Sequence, residues 1–170
     1  DRLLDERHAR LVGAIAAELV ARGWQVHVEV SFSEYGERGS IDILALRRDA
    51  GIALVVEIKS ALMAIDDTIR RLDVKARLAP RIVFDRFGWR PASVGRLLVI
   101  EEGATARRHV AAHELTLSVA FPDRGRTVRA WLRRPAGSLR GLRFFSSTNR
   151  GGPRRNRAPI GDAATAESSS

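Results

Sequence analysis

Apolar residues recur at helical spacing at the start of the chain, at Leu4, Leu11, Ile15 and Leu19. This pattern predicts an amphipathic helix over 1–22, closed by Gly23. From Trp24 the period switches to two. Trp24, Val26, Val28, Val30 and Phe32 alternate with Gln25, His27, Glu29 and Ser31, the pattern of a strand with one packed face. The polar, glycine-containing stretch Ser33–Gly39 reads as a loop. Ile41–Leu46 and Ile52–Ile58 follow, two runs apolar on both faces, as a sheet covered on two sides requires. Arg47–Gly51 between them reads as a hairpin loop.

After Ser60, the residues Ile65, Ile69, Leu72 and Ala76 form a helical face, expected to break at Pro80. Pro80–Pro91 then reads as a short helix and turn, with Ile82, Phe84, Phe87 and Trp89 packed on the core. Arg96–Glu101 holds a buried strand, and 104–120 reads as helical. Arg126–Arg133 and Leu142–Ser146 read as a late strand pair or extended segments anchored by Trp131, Phe144 and Phe145. From about Asn149 the chain turns to Gly, Pro, Arg, Ala and Ser. This divides it into a folded α/β domain over 1–148 and a disordered basic tail over 149–170.

Into the two apolar central runs are set Asp42, Glu57 and Lys59. A charge in a buried strand is costly unless it is paired or binds a metal. Glu57 and Lys59 are two apart and so share a face. A hairpin turning symmetrically about Asp49-Ala50 sets Asp42 opposite Glu57, with Cβ atoms roughly 4.5–5.5 Å apart. Two carboxylates so placed destabilise a sheet unless a cation lies between them. A hard divalent ion such as Mg2+ takes oxygen ligands and leaves room for water and phosphate oxygens. Lys59 beside them is suited to orienting an attacking water and offsetting phosphate charge. The plainer alternative is a buried ion pair of Lys59 with Glu57 or Asp42.

Asp42 followed by Glu57-x-Lys59 on the next strand resembles the signature of the PD-(D/E)-x-K phosphodiesterase superfamily. The wording Gly-Ser-Ile-Asp-Ile-Leu-Ala and Val-Glu-Ile-Lys-Ser is similar to its Holliday-junction resolvase and restriction endonuclease-like branches. Ile41 stands where the family pattern has Pro. The resemblance covers roughly residues 5–102. It implies a restriction endonuclease-like core, an α-β-β-β-α-β mixed sheet flanked by helices. It also implies hydrolysis of nucleic-acid phosphodiesters, DNA foremost, with Mg2+ or Mn2+ held by Asp42 and Glu57.

Relatives often add a Glu from the first helix to the metal site, a role the resemblance carries to Glu18. At about 100° per residue Glu18 projects within about 20° of Leu11, on the flank of the apolar stripe. A boundary Glu paired with Arg22 or Arg10 explains the position equally well. The helix after Glu57-x-Lys59 borders the site in this family. Its stripe of Arg70, Arg77 and Arg81, widened by Arg71 and Lys75, is then a phosphate-tracking surface, or else a solvated face balanced by Asp66, Asp67 and Asp73. The Gln that some relatives carry on this helix is missing. In the 33–39 loop, Tyr35 is placed to stack on a base and Arg38 to bind a phosphate, or the segment is an ordinary connection. His27 and Glu29 read more simply as a solvated strand face. His109 and His113, four apart, lack a third ligand and read as surface histidines.

Composition narrows the function classes. Net charge is +9, from 29 Lys and Arg against 20 Asp and Glu, and Arg predominates. That balance favours phosphate-bearing partners, and equally an acidic protein. The absence of Cys excludes disulfides, iron–sulfur clusters and thiol catalysis and fits the cytoplasm. No apolar run reaches membrane-spanning length. No Gly-rich phosphate loop with a Lys and no nucleophile elbow is present. The chain starts at Asp1 and reads as an excised piece. A preceding domain, such as a helix-turn-helix, is one expected partner, and a homodimer suited to two-strand cleavage is another. The competing function is a catalytically silent nucleic-acid-binding or regulatory module. Adjacent buried carboxylates favour the nuclease, because a binder has no need of them.

Overall fold

The computed structural model describes residues 2–146, so the tail expected from Asn149 lies outside it. The elements run α1 (Arg2–Ala21), β1 (Gln25–Glu34), β2 (Glu37–Arg47), β3 (Ile52–Lys59), α2 (Ile65–Phe87), β4 (Ser93–Glu101), α3 (Ala104–Ala112), α4 (Glu114–Ala120), β5 (Asp123–Arg124), α5 (Gly125–Arg133) and β6 (Arg140–Phe145). The strands form one mixed six-stranded sheet in the order β1-β2-β3-β4-β6-β5. β1, β2 and β3 pair antiparallel, while β3–β4, β4–β6 and β5–β6 are parallel. Among the described residues, no helix is long and apolar enough to cross a membrane.

Helices cover both faces of the sheet, which is why β2 and β3 are apolar on both sides. On one face Leu11, Val12, Ile15 and Leu19 of α1 pack with Ile43, Leu54, Val56 and Ile58, and with Val128 and Leu132 of α5. On the other, Leu72, Ala76, Ala79, Ile82 and Val83 of α2 pack with Leu44, Val55 and Leu98, joined by Val110 of α3 and Leu117 of α4. Each fully buried aliphatic or aromatic side chain contributes roughly 1.5–3 kcal/mol. The β2–β3 register agrees with the sequence expectation where the strands pair; the expected Asp42–Glu57 pair falls just beyond the last of them. Arg47 faces Ile52 and Ile43 faces Val56. The connection is a short 3-10 turn over Arg48–Ala50 that closes on Gly51 at φ 69°, a left-handed value that glycine adopts without strain.

Four expectations are corrected. The helix does not break at Pro80; α2 runs through it to Phe87. Proline there forfeits a bond to the Ala76 carbonyl, at roughly 3 kcal/mol. Burial of Leu78, Ala79, Ile82 and Val83 along the continuing apolar stripe outweighs that loss. Arg126–Arg133 is not a strand but most of α5. Its buried residues Val128, Trp131 and Leu132 are three and four apart, a helical spacing too sparse among arginines to stand out. Trp131 stacks on Trp24 at 5.6 Å, and Trp24 Nε1 donates to the Leu132 carbonyl at 2.9 Å. The segment 33–39 is almost wholly strand. Its turn is confined to Tyr35 and Gly36, both at positive φ (52° and 80°), as tight hairpin turns require.

The fourth correction bears on the site. β1 does not keep one packed face. Val26 packs on the α1 side of the sheet with Trp24, Val30 and Phe32 pack on the α2 side, and Val28 is half exposed. The change falls at Glu29, whose φ of 50° rotates the pleat. β2 changes face in step: Ile43 and Ala45 pack toward α1, but Ile41 packs toward α2. The residue inside that switch is Asp42.

Candidate active site

β2 and β3 stay paired up to Ile43 and Val56. In a continued ladder, Asp42 would face Glu57 and Ile41 would then face Ile58. Instead, the Ile58 backbone N–H donates to the Asp42 side chain, Oδ2, at 2.7 Å. A carboxylate thus takes the place of a strand carbonyl. Glu29, at positive φ, lies across from this residue, between the pairs Val28–Ile43 and Val30–Ile41. A non-glycine residue at positive φ is uncommon, and such outliers cluster at functional sites. The other Asp42 oxygen, Oδ1, has His8 Nε2 of α1 at 3.4 Å.

Glu57 lies on β3 beside this junction and is only 7% exposed. Its carboxylate faces two ammonium groups. Lys75 Nζ of α2 donates to Oε2 at 2.7 Å, and Lys59 Nζ lies 3.8 Å from Oε1. The Lys59 side chain is about one-third exposed, whereas that of Lys75 is 11% exposed. The buried ion pair anticipated from the sequence therefore exists, but its shorter contact comes from the helix and not from Lys59.

Just outside this group is a cleft of about 430 Å³. Its walls are Phe32, the start of β2 at Glu37, Arg38, Gly39 and Ser40, and Arg70, Arg71, Val74 and Lys75 of α2. Gly39 leaves room here for the Phe32 ring, which a Cβ would approach to 2.9 Å and push aside. Arg70 and Arg71 share Asp67 as an ion partner, and both remain largely exposed. The cleft is basic, with four cationic side chains against Glu37, and Lys75 joins it to the Glu57 carboxylate.

The structure sets Glu57, Lys59 and Lys75 together, brings the Asp42 carboxylate onto the β3 backbone at Ile58, and lines the cleft that Lys75 enters with Arg38 and Arg70. Asp42 is approached by His8 from the α1 side of the sheet and Glu57 by Lys75 from the α2 side. The remaining expected residues stand apart. Glu18 is held by Arg143, at 2.7 and 3.4 Å, and by Arg22 at 3.5 Å. It lies ten residues along α1 from His8, about 15 Å of helical rise. The pairing with Arg22 read from the sequence is present. The approach to Asp42 is made by His8. Arg77 pairs with Glu37 at 2.7 Å, and Arg81 with Asp85 at 3.0 Å. Tyr35 sits exposed at the hairpin tip. His27 packs on Phe87, with ring centroids 4.5 Å apart, and its pKa is lowered by burial and then by Arg86. Arg77 and Arg70 also line a larger cleft of about 850 Å³ with Arg96 and Arg140, a cleft to which Asp42, Glu57 and Lys59 do not contribute.

Two contributors escaped the sequence reading in these roles, though each left a signal. His8 is three residues before Leu11 and four before Val12, on the buried stripe of α1. Lys75 is three after Leu72 and four before Ala79, on the flank of the buried stripe of α2. Helical spacing from core residues marks both as inward-leaning.

No family model matches the chain, and no curated protein matches it.

The donor set can be tested for a metal on the geometry alone. Asp42 and Glu57 supply only oxygen, on adjacent strands, and positive charge already sits against the buried Glu57 carboxylate. That chemistry fits a hard divalent ion completing its shell with water and phosphate oxygens. Among the described residues, no three carboxylate or imidazole groups converge as a ready-made metal cage. Mg2+ typically binds through one or two carboxylates rather than an all-protein cage.

Proposed function

We propose that this chain is a divalent-metal-dependent nuclease of the PD-(D/E)-x-K, restriction endonuclease-like kind, acting on nucleic-acid phosphodiesters and first of all on DNA. One observation carries the reading. Asp42 leaves the β-ladder next to the buried Glu57, with Lys59 on the same strand and an arginine-lined cleft alongside. The element order α1-β1-β2-β3-α2-β4 supports it as well, being the α-β-β-β-α-β order that the resemblance implies.

Asp42 and Glu57 are the residues that would hold Mg2+ or Mn2+, which when bound supplies Lewis acidity and an activated water. Lys59, the more exposed of the two lysines, orients the attacking water and offsets charge developing on the phosphoryl oxygens. Arg38, Arg70 and Arg71 hold flanking phosphates, fixing register on the backbone without reading sequence. Ile58 N–H fixes the Asp42 carboxylate, so the ligand is oriented before any ion arrives. Glu18 is assigned no part in this mechanism, since its carboxylate is committed to Arg143.

The test is a substrate panel of supercoiled plasmid, linear duplex, single-stranded and branched DNA, and RNA, each incubated with Mg2+, Mn2+ or a chelator. Cleavage of at least one DNA substrate with metal, and none with chelator, is expected. If every substrate stays intact with both metals, the nuclease reading fails for those substrates and the competing one, a silent nucleic-acid-binding or regulatory module, takes its place.

A further inference from the structure

Lys75 has no role in the motif that defines the site, yet it makes the shortest contact to Glu57. Its ammonium lies 2.7 Å from Oε2 and its side chain is 11% exposed, on a helix whose neighbouring turns carry the basic wall of the cleft. The same side chain lines that cleft with Arg38, Arg70 and Arg71. It therefore touches both the proposed metal ligand and the space where a phosphate would lie.

We propose that Lys75 is a built-in counter-ion. In the metal-free protein it holds the place of the divalent ion at Glu57. On metal loading it turns into the cleft and becomes a phosphate ligand. This rests on the nuclease reading and adds a residue to it. A carboxylate that is 7% exposed cannot stand ionised without a cation, and Lys59 at 3.8 Å is too distant and too exposed to serve alone. An ammonium against Oε2 and a divalent ion on the same oxygen repel, so the two compete for it. Lysine also has a long flexible stem and a compact charge, so its head can move several ångströms with α2 in place. Three arginines already wall the cleft it would enter, and its one acid, Glu37, is held by Arg77, so the move is favourable only when an anion lies among them. Metal and phosphodiester thereby load together.

The test measures Mn2+ affinity by calorimetry, the melting temperature with and without Mn2+, and cleavage at saturating Mn2+, for wild type and Lys75→Met. Removing the competing ammonium is expected to tighten Mn2+ binding by about tenfold or more. The metal-free variant should melt lower than wild type, and saturating Mn2+ should recover the difference. Cleavage should nevertheless slow by about tenfold, because a charge-assisted phosphate contact is lost. A lysine that serves only the fold would instead weaken metal binding and cleavage together, and that outcome overturns the inference. Unchanged Mn2+ affinity overturns it as well. Should Lys75→Met not fold, Lys75→Gln, which can still donate to Glu57, must show the same opposite movements. The two readings fail separately. If wild type binds Mn2+ no better than Glu57→Gln does, the nuclease reading itself falls. If wild-type binding depends on Glu57 but is indifferent to residue 75, only the counter-ion role falls.

Discussion

Asp42→Asn is expected to slow metal-dependent cleavage by at least about a thousandfold while leaving the fold in place. The asparagine oxygen still accepts the Ile58 N–H that Asp42 accepts at 2.7 Å, so the junction between β2 and β3 survives. What is lost is the negative charge that would face the ion. Asp42→Ala removes both, and a buried N–H left without an acceptor costs about 1–3 kcal/mol. The alanine variant should therefore melt below the asparagine variant, and both should be inactive. Thermal melts beside a plasmid cleavage assay separate the two effects. Full activity in Asp42→Asn would remove Asp42 from the chemistry.

Glu57→Ala carries the largest expected cost in stability. The Lys75 side chain is 11% exposed and loses its carboxylate partner, which leaves a buried charge uncompensated. Breaking such a pair from one side costs about 3–5 kcal/mol. For a chain of this size that lowers the melting temperature by about 10 °C. Adding Lys75→Met to the same protein removes the stranded charge and should restore most of the loss. A Glu57→Ala protein melting within about 2 °C of wild type would mean that Lys75 finds water or another acceptor.

Much of this arrangement was legible in the order of the residues. The β2–β3 register followed from the polar stretch at Arg47–Gly51, because a short hairpin leaves few pairings for two apolar runs. Asp42, Glu57 and Lys59 stood out for the same reason, as charges where the pattern demanded apolar side chains. The face switch of β1 was not legible. Val26, Val28 and Val30 alternate without a fault, and nothing local marks Glu29 for positive φ. It falls where the β1–β2 pairing skips Glu29 and Asp42, a tertiary setting invisible to a period-two pattern. Pro80 misled because propensity was read without the apolar stripe that continues beyond it. Glu18 was drawn toward the site by its helical angle, which fixes a direction around the axis but not a height along it. Arg143, 125 residues away in sequence, claims its carboxylate.

The claim beneath all of this is that Asp42 and Glu57 form one cation site at the end of β2 and β3. Anomalous diffraction from crystals grown with Mn2+ tests it directly. The account predicts a single strong peak within about 2.0–2.6 Å of an oxygen from each carboxylate, with the Lys75 ammonium displaced from Glu57. A map with no peak there, Lys75 still seated on Glu57 and Mn2+ bound elsewhere, would contradict it.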